Sequence, residues 1–174
     1  MPVAKEHEAL AKYCIGFGAN VGCGDVRIGG SVGVDVCPTA KAAAIFAPAE
    51  KLPFESGTLD YVISAAALEH IDRGPVVILR EWTRCVKEGG VVAVIVPDAE
   101  YGIWSMTGDT GRCGELCKPR REMEHLHAFT LPALRMLFEF CGLFVVEAAV
   151  IDRRPVRKER TLICAGKKLA CFRE

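Results

Sequence analysis

The sequence predicts one α/β domain built on a mostly parallel sheet, and three features carry that prediction. Apolar residues at helical spacing from Val76 to Val86 stop at Gly89 and Gly90, and a continuous apolar run follows at 91–96. A helix leading into a strand without polar alternation marks a strand covered on both faces. Near the amino end two short apolar runs flank a glycine-rich stretch, and near the carboxyl end two more flank a basic turn. At 174 residues, 51% hydrophobic and 25% charged, the chain has enough apolar surface to bury one core and is short for two, so 1–174 reads as a single domain.

In chain order, 13–17 and 31–36 read as strands around a loop holding Gly18, Gly22, Gly24, Gly29 and Gly30. The spacing leaves no room for a long helix between them. A short strand near 44–47 follows, although its alanines would equally suit a helix. The run 60–66 comes after the turn signal Glu55, Ser56, Gly57 and reads as a strand. Gly74 and Pro75 open the helix over 76–86. Residues 130–141 return to helical spacing, with Thr130 as N-cap, Pro132 in the first turn and Gly142 as the stop. The runs 143–151 and 160–167 then form a hairpin that closes the sheet. Between the run 91–96 and the helix over 130–141, 98–129 is rich in glycine and charge and poorly periodic, as expected of a lid or substrate segment.

Lys plus Arg and Asp plus Glu both number 22, so no net field draws the chain onto nucleic acid. The basic run Arg153, Arg154, Arg157, Lys158 and Arg160 lacks interleaved aromatics and reads as a solvated turn. The first twelve residues lack the apolar stretch of a secretory signal, and no run reaches the length of a membrane span. Nine scattered cysteines, an odd number, fit reduced thiols better than a disulfide framework. A cytoplasmic protein with no membrane partner is the expectation.

Tyr-Cys-Ile-Gly-Phe-Gly-Ala-Asn at 13–20 reads as a glycine turn ending the first strand, and Gly-Val-Asp at 33–35 ends the second. Ala-Glu-Lys-Leu-Pro-Phe at 49–54 precedes Leu-Asp-Tyr-Val-Ile-Ser at 59–64, Ala-Leu-Glu-His at 67–70, and Glu-Trp-Thr-Arg-Cys-Val-Lys-Glu-Gly-Gly at 81–90. Four ordered blocks carry more weight than any one glycine turn. Together they resemble class I S-adenosylmethionine-dependent methyltransferases of the type 11 subgroup, well over 13–98 and loosely over 125–151. The resemblance implies a Rossmann-like fold with seven strands, mostly parallel, and an antiparallel C-terminal hairpin, while the spacing of this chain leaves its first inter-strand helix reduced or absent. It implies S-adenosyl-L-methionine as cofactor, held by Gly16, Gly18, Asn20, Asp35, Ala49, Glu50, Ser64 and Leu68. In that scheme Asp35 accepts the ribose hydroxyls, the backbone of Ala49 reads adenine, and methyl transfer goes to a small-molecule acceptor.

Two positions depart from the family pattern. Cys14 stands where an acidic residue usually precedes the first glycine by two, and Pro48 stands where one often precedes the Ala-Glu pair. They keep open an alternative, a methyltransferase-like binding or scaffolding domain without turnover. Histidine titrates near neutral pH, which makes His70, His125 and His127 the candidate catalytic groups. Cys113 and Cys117 with His125 and His127 form a C-x3-C-x7-H-x-H pattern, but that spacing matches no established zinc motif, and no metal is expected.

Overall fold

A computed structural model of the chain describes residues 5–100, 125–154 and 159–170. Helix α1 (Lys5–Ala11) leads to strands β1 (Gly18–Val21), β2 (Val32–Asp35), β3 (Ile45–Phe46) and β4 (Leu59–Ala65). A 3-10 turn, Leu68–His70, precedes helix α2 (Pro75–Cys85) and strand β5 (Val86–Pro97). Helix α3 (Leu131–Phe140) and strands β6 (Leu143–Arg154) and β7 (Glu159–Lys168) complete the chain.

The seven strands form one sheet in the order β3-β2-β1-β4-β5-β7-β6. Pairs from β3 through β5 are parallel, whereas β7 runs antiparallel to both β5 and β6. This is the predicted class I methyltransferase architecture, and no helix separates β1 from β2, as the crowded glycines require.

Strand alternation divides the core between the two faces of the sheet. Val62, Val92, Val94, Leu162 and Cys164 pack with Ile78, Leu79 and Trp82 of α2 and with Leu134 and Phe138 of α3. Tyr61, Ile63, Ala93, Ile95 and Ile163 face Leu10 of α1 and Ile28 on the opposite side. Helix α3 starts as its sequence predicts, with the Thr130 hydroxyl accepting the Ala133 N–H at 3.4 Å.

Three expectations are corrected. The run 13–17 is not the first strand: Ile15 is 78% exposed and Phe17 53%, and β1 begins at Gly18. Its four residues, Gly-Ala-Asn-Val, carry a weaker apolar signal than the exposed run ahead of them. Helix α2 ends at Cys85, and β5 takes up the chain at once at Val86, so the glycine pair lies inside the strand segment instead of stopping the helix. Cys37 is disulfide-bonded, while Cys14, Cys23, Cys85, Cys141 and Cys164 are free thiols. The odd count and the scatter along the chain describe the cysteines as a set and do not report the state of a single one. Among the described residues no helix is long and apolar enough to cross a membrane.

Candidate active site

The order of the parallel strands reverses between β1 and β4. In open α/β sheets the crevice outside the carboxyl ends at such a switch point is where ligands lie. The loops leaving β1 and β4 meet there. A Cβ on Gly22 would stand 2.3 Å from the Cβ of Ala67, so only glycine permits this approach. Gly24, at φ +51°, adopts a left-handed backbone, and a Cβ there would meet nothing within 4 Å. The turn therefore presents bare backbone to open space.

Asp35, at the carboxyl end of β2, fixes this turn. Its Oδ2 accepts the Gly24 N–H and its Oδ1 the Cys37 N–H, both at 2.8 Å. The Gly22 N–H donates to the Val34 carbonyl at 2.8 Å, tying the loop to the neighbouring strand. Each carboxylate oxygen keeps a second acceptor position.

These positions correct the glycine turn inferred from the sequence. Gly16 and Gly18 lie at the amino end of β1, where added Cβ atoms would meet Asp60 Oδ2 and the Tyr61 carbonyl, each at 2.4 Å. They sit at the wrong end of the strand for the crevice, and Gly22 and Gly24 form the turn in their place. The residue two places before the first glycine is then Asn20 and not Cys14. Asn20 is 2% exposed, inside β1, and its amide donates to the Val26 carbonyl at 3.2 Å. The signal was in the sequence, since Gly22-Cys23-Gly24 follows an apolar residue as closely as Gly16-Phe17-Gly18 does.

Segment 49–56 is pinned by α2. Trp82 Nε1 donates to the Ala49 carbonyl at 3.0 Å, and Glu81 Oε1 accepts the Leu52 N–H at 2.8 Å. Arg84 donates to the Phe54 carbonyl at 3.0 Å and to the Ser56 hydroxyl at 3.1 Å. It also forks onto both oxygens of Glu81, at 2.7 and 2.8 Å. The guanidinium beside it holds the Glu81 carboxyl below the usual range, helped by the Leu52 N–H against the opposing effect of burial. Glu50 approaches Arg73 at 3.9 Å. Sequence reading matched the block 81–90 to a helix but not to this clamp, because three residues at adjacent helical positions reveal no tertiary partner.

Beyond β4 the chain turns through Ala66, a non-glycine residue at φ +50°, into the 3-10 turn. The Ser64 and Leu68 side chains, both 1% exposed, point into the protein, leaving only their backbone for a ligand. The turn holds His70, whose ring centroid lies 4.8 Å from that of His125. Segment 125–127 is docked here by the Leu126 and His127 N–H groups, which donate to the Glu69 carbonyl at 2.8 and 3.2 Å. His127 Nε2 lies 2.8 Å from the Ile71 carbonyl, which can only accept, so that nitrogen carries a proton. The three histidines are thus brought to one end of the sheet, with His127 engaged and His70 facing His125.

The ends of segment 98–129 meet at the same edge. Asp98 bridges to Phe129, and the Ala99 N–H donates to the Phe129 carbonyl at 2.9 Å. Residues 101–124, with Cys113, Cys117 and the body of the expected lid, lie outside the described residues. A cavity of about 490 Å³ lined by Lys12, Tyr13, Asp60, Lys87 and Gly89 opens at the amino ends of β4 and β5, away from this crevice.

The family described as "Methyltransferase domain", type 11, matches residues 14–94. Over that segment the chain is similar to type 11 methyltransferase domains. No curated protein sequence matches it. The chain resembles solved methyltransferase structures over most of its length. A chain from the complex between the Haloferax volcanii Trm112 methyltransferase activator and a methyltransferase is 18% identical, with TM-score 0.67, over 94% of this chain and 88% of that one. The Burkholderia thailandensis 1,6-didemethyltoxoflavin-N1-methyltransferase, solved with 1,6-didemethyltoxoflavin and S-adenosylhomocysteine, is 13% identical with TM-score 0.70, over 95% and 77%. A Methanosarcina mazei S-adenosylmethionine-dependent methyltransferase is 15% identical with TM-score 0.67, over 92% and 97%. At these identities the likeness establishes the fold.

Proposed function

We propose that this methyltransferase, acting as one domain, transfers a methyl group from S-adenosylmethionine to a small-molecule acceptor in the crevice between the ends of β1 and β4. The observation that carries the reading is the Gly22–Gly24 turn, open to space at Gly24 and locked by the carboxylate at the end of β2. These residues fit the cofactor. A carboxylate with spare acceptor positions suits the two ribose hydroxyls, and bare backbone at Gly24 leaves room for the amino-acid portion. Ala49 and Glu50, on the segment clamped by α2, are the residues assigned to the adenine in this reading, and Asn20 is a buried neutral amide in the strand before the turn.

The cofactor supplies a methyl group on a sulfonium. An acceptor lone pair would form the new bond to that carbon, the carbon–sulfur bonding pair would pass to sulfur, and the acceptor's proton would go to water. The chain contributes position and exclusion of solvent. His70 and His125, facing one another beyond β4, are the side chains set against the acceptor, and His127 holds segment 125–127 in place through Ile71. A small acceptor is supported by the Burkholderia relative, solved with its own small heterocycle, and by the zero net charge of this chain. Calorimetric titration with S-adenosylhomocysteine tests the cofactor half: saturable binding supports the reading, and none at millimolar ligand would favour a scaffolding domain. Its release during a screen of small amines, phenols and heterocycles tests the acceptor half.

A further inference from the structure

We propose that Glu69, His70 and His125 form a binding site for a divalent first-row metal ion at the acceptor end of the crevice. One ligand atom from each lies within 4.8 Å of the others. Around an ion bound at about 2.0–2.2 Å, ligand atoms stand roughly 3.0–3.5 Å apart, so small side-chain rotations close the site. His70 Nε2 is already 3.9 Å from Glu69 Oε1.

The surroundings favour an ion. Glu69 is fully buried, and coordination to a metal ion is one of the ways an interior carboxylate is compensated. The two imidazoles supply nitrogen donors suited to zinc, cobalt, nickel or iron, with the carboxylate as the oxygen ligand. Three protein ligands leave positions open for water or substrate, the arrangement of a catalytic metal centre. Backbone hydrogen bonds from Leu126 and His127 to Glu69 hold the two ligand segments together, so the site is assembled by the fold. His127 is excluded as a ligand through Nε2 because that nitrogen is spent on the Ile71 carbonyl. This sets the site apart from the C-x3-C-x7-H-x-H pattern, which would need thiolates.

Bound there, the ion would take the oxygen of an acceptor hydroxyl or carboxylate and make a hydroxyl easier to deprotonate. That role rests on the methyl-transfer reading; metal binding itself does not. The test uses the full untagged chain, stripped with chelator and titrated with cobalt(II). One equivalent should bind with weak visible d–d bands and no thiolate-to-cobalt charge transfer. His70→Ala and His125→Ala, both at partly exposed positions, should each weaken cobalt binding at least about tenfold, a loss that even an outer partner of a metal ligand can produce. No saturable cobalt binding, equal affinity in wild type and His125→Ala, or a thiolate band would overturn the site. Calorimetry with S-adenosylhomocysteine on the stripped protein separates the readings: binding there without any cobalt site sinks the metal proposal and spares the cofactor one.

Discussion

Asp35 holds the Gly24 N–H at 2.8 Å and thereby ties the end of β2 to the turn that follows β1. The same carboxylate holds the Cys37 N–H, so it is fixed before any ligand arrives. A fixed acceptor loses little entropy when it binds a diol.

Asp35→Ala should weaken S-adenosylhomocysteine binding by on the order of 1.5–3 kcal/mol, roughly ten- to a hundredfold, the scale of charge-assisted hydrogen bonds lost in a half-buried site. Isothermal calorimetry on the folded variant measures it. An unchanged affinity would remove Asp35 from the cofactor site.

Gly24→Val and Gly18→Val should separate the two candidate glycine turns. At Gly24 the new side chain enters open space, so stability falls by only about 1–2 kcal/mol from the left-handed backbone while cofactor binding is lost. At Gly18 it would strike the Tyr61 carbonyl and ring. That variant should melt well below wild type yet, where it still folds, bind S-adenosylhomocysteine within about twofold of it, the usual coupling between separated sites. Thermal melts paired with calorimetry give both numbers, and the opposite pattern would restore the turn at 16–18.

The fold was legible because its long elements carry strong period signals: α2 in the spacing of Leu79, Trp82 and Cys85, β5 in the run 91–96, and α3 in Thr130 and Pro132. The site was legible only in outline. Asp35 and His70 follow apolar strands and could be placed by their position at strand ends. The glycine turn slipped because β1 carries a buried asparagine and little else to mark it, while Ile15 and Phe17 ahead of it are exposed apolar residues. The Arg84 clamp and the approach of His125 to His70 join residues 28 or more positions apart. Periodicity has no means of reporting such contacts.

Burial pushes the Cys164 thiol up to about 12 and those of Cys23 and Cys85 up to about 11. In the unfolded chain these thiols ionise near 9, so above that pH the folded state holds more protons and stability falls as pH rises. The expected loss between pH 8.5 and 10.5 is on the order of 1–2 kcal/mol per thiol. Urea unfolding at the two pH values should show it, and Cys164→Ala should show a smaller fall than wild type. An equal fall would mean that the Cys164 thiol contributes nothing to the alkaline loss.

Arg84→Ala tests whether α2 positions the adenine side of the crevice. The guanidinium spans Glu81, Phe54, Ser56 and Leu52, so its removal leaves a carboxylate and several carbonyls short of a donor. The expected destabilisation is about 1.5–3 kcal/mol, the range for hydrogen bonds to charged groups with partial exposure discounted. Affinity for S-adenosylhomocysteine should drop by a few-fold, because Ala49 and Glu50 are held through this segment and do not touch Arg84. Arg84→Lys should recover part of the stability, since an ammonium can reach Glu81 but cannot fork. The pH dependence supplies an independent readout. Glu81 has a depressed folded value, so its contribution is present above the ordinary carboxylate range and is lost as pH falls through that folded value. Without Arg84 the main cause of the depression is gone, and the stability gap between wild type and Arg84→Ala should narrow as pH drops below about 4. A gap constant down to pH 3 in urea melts would show that the pair contributes through packing alone.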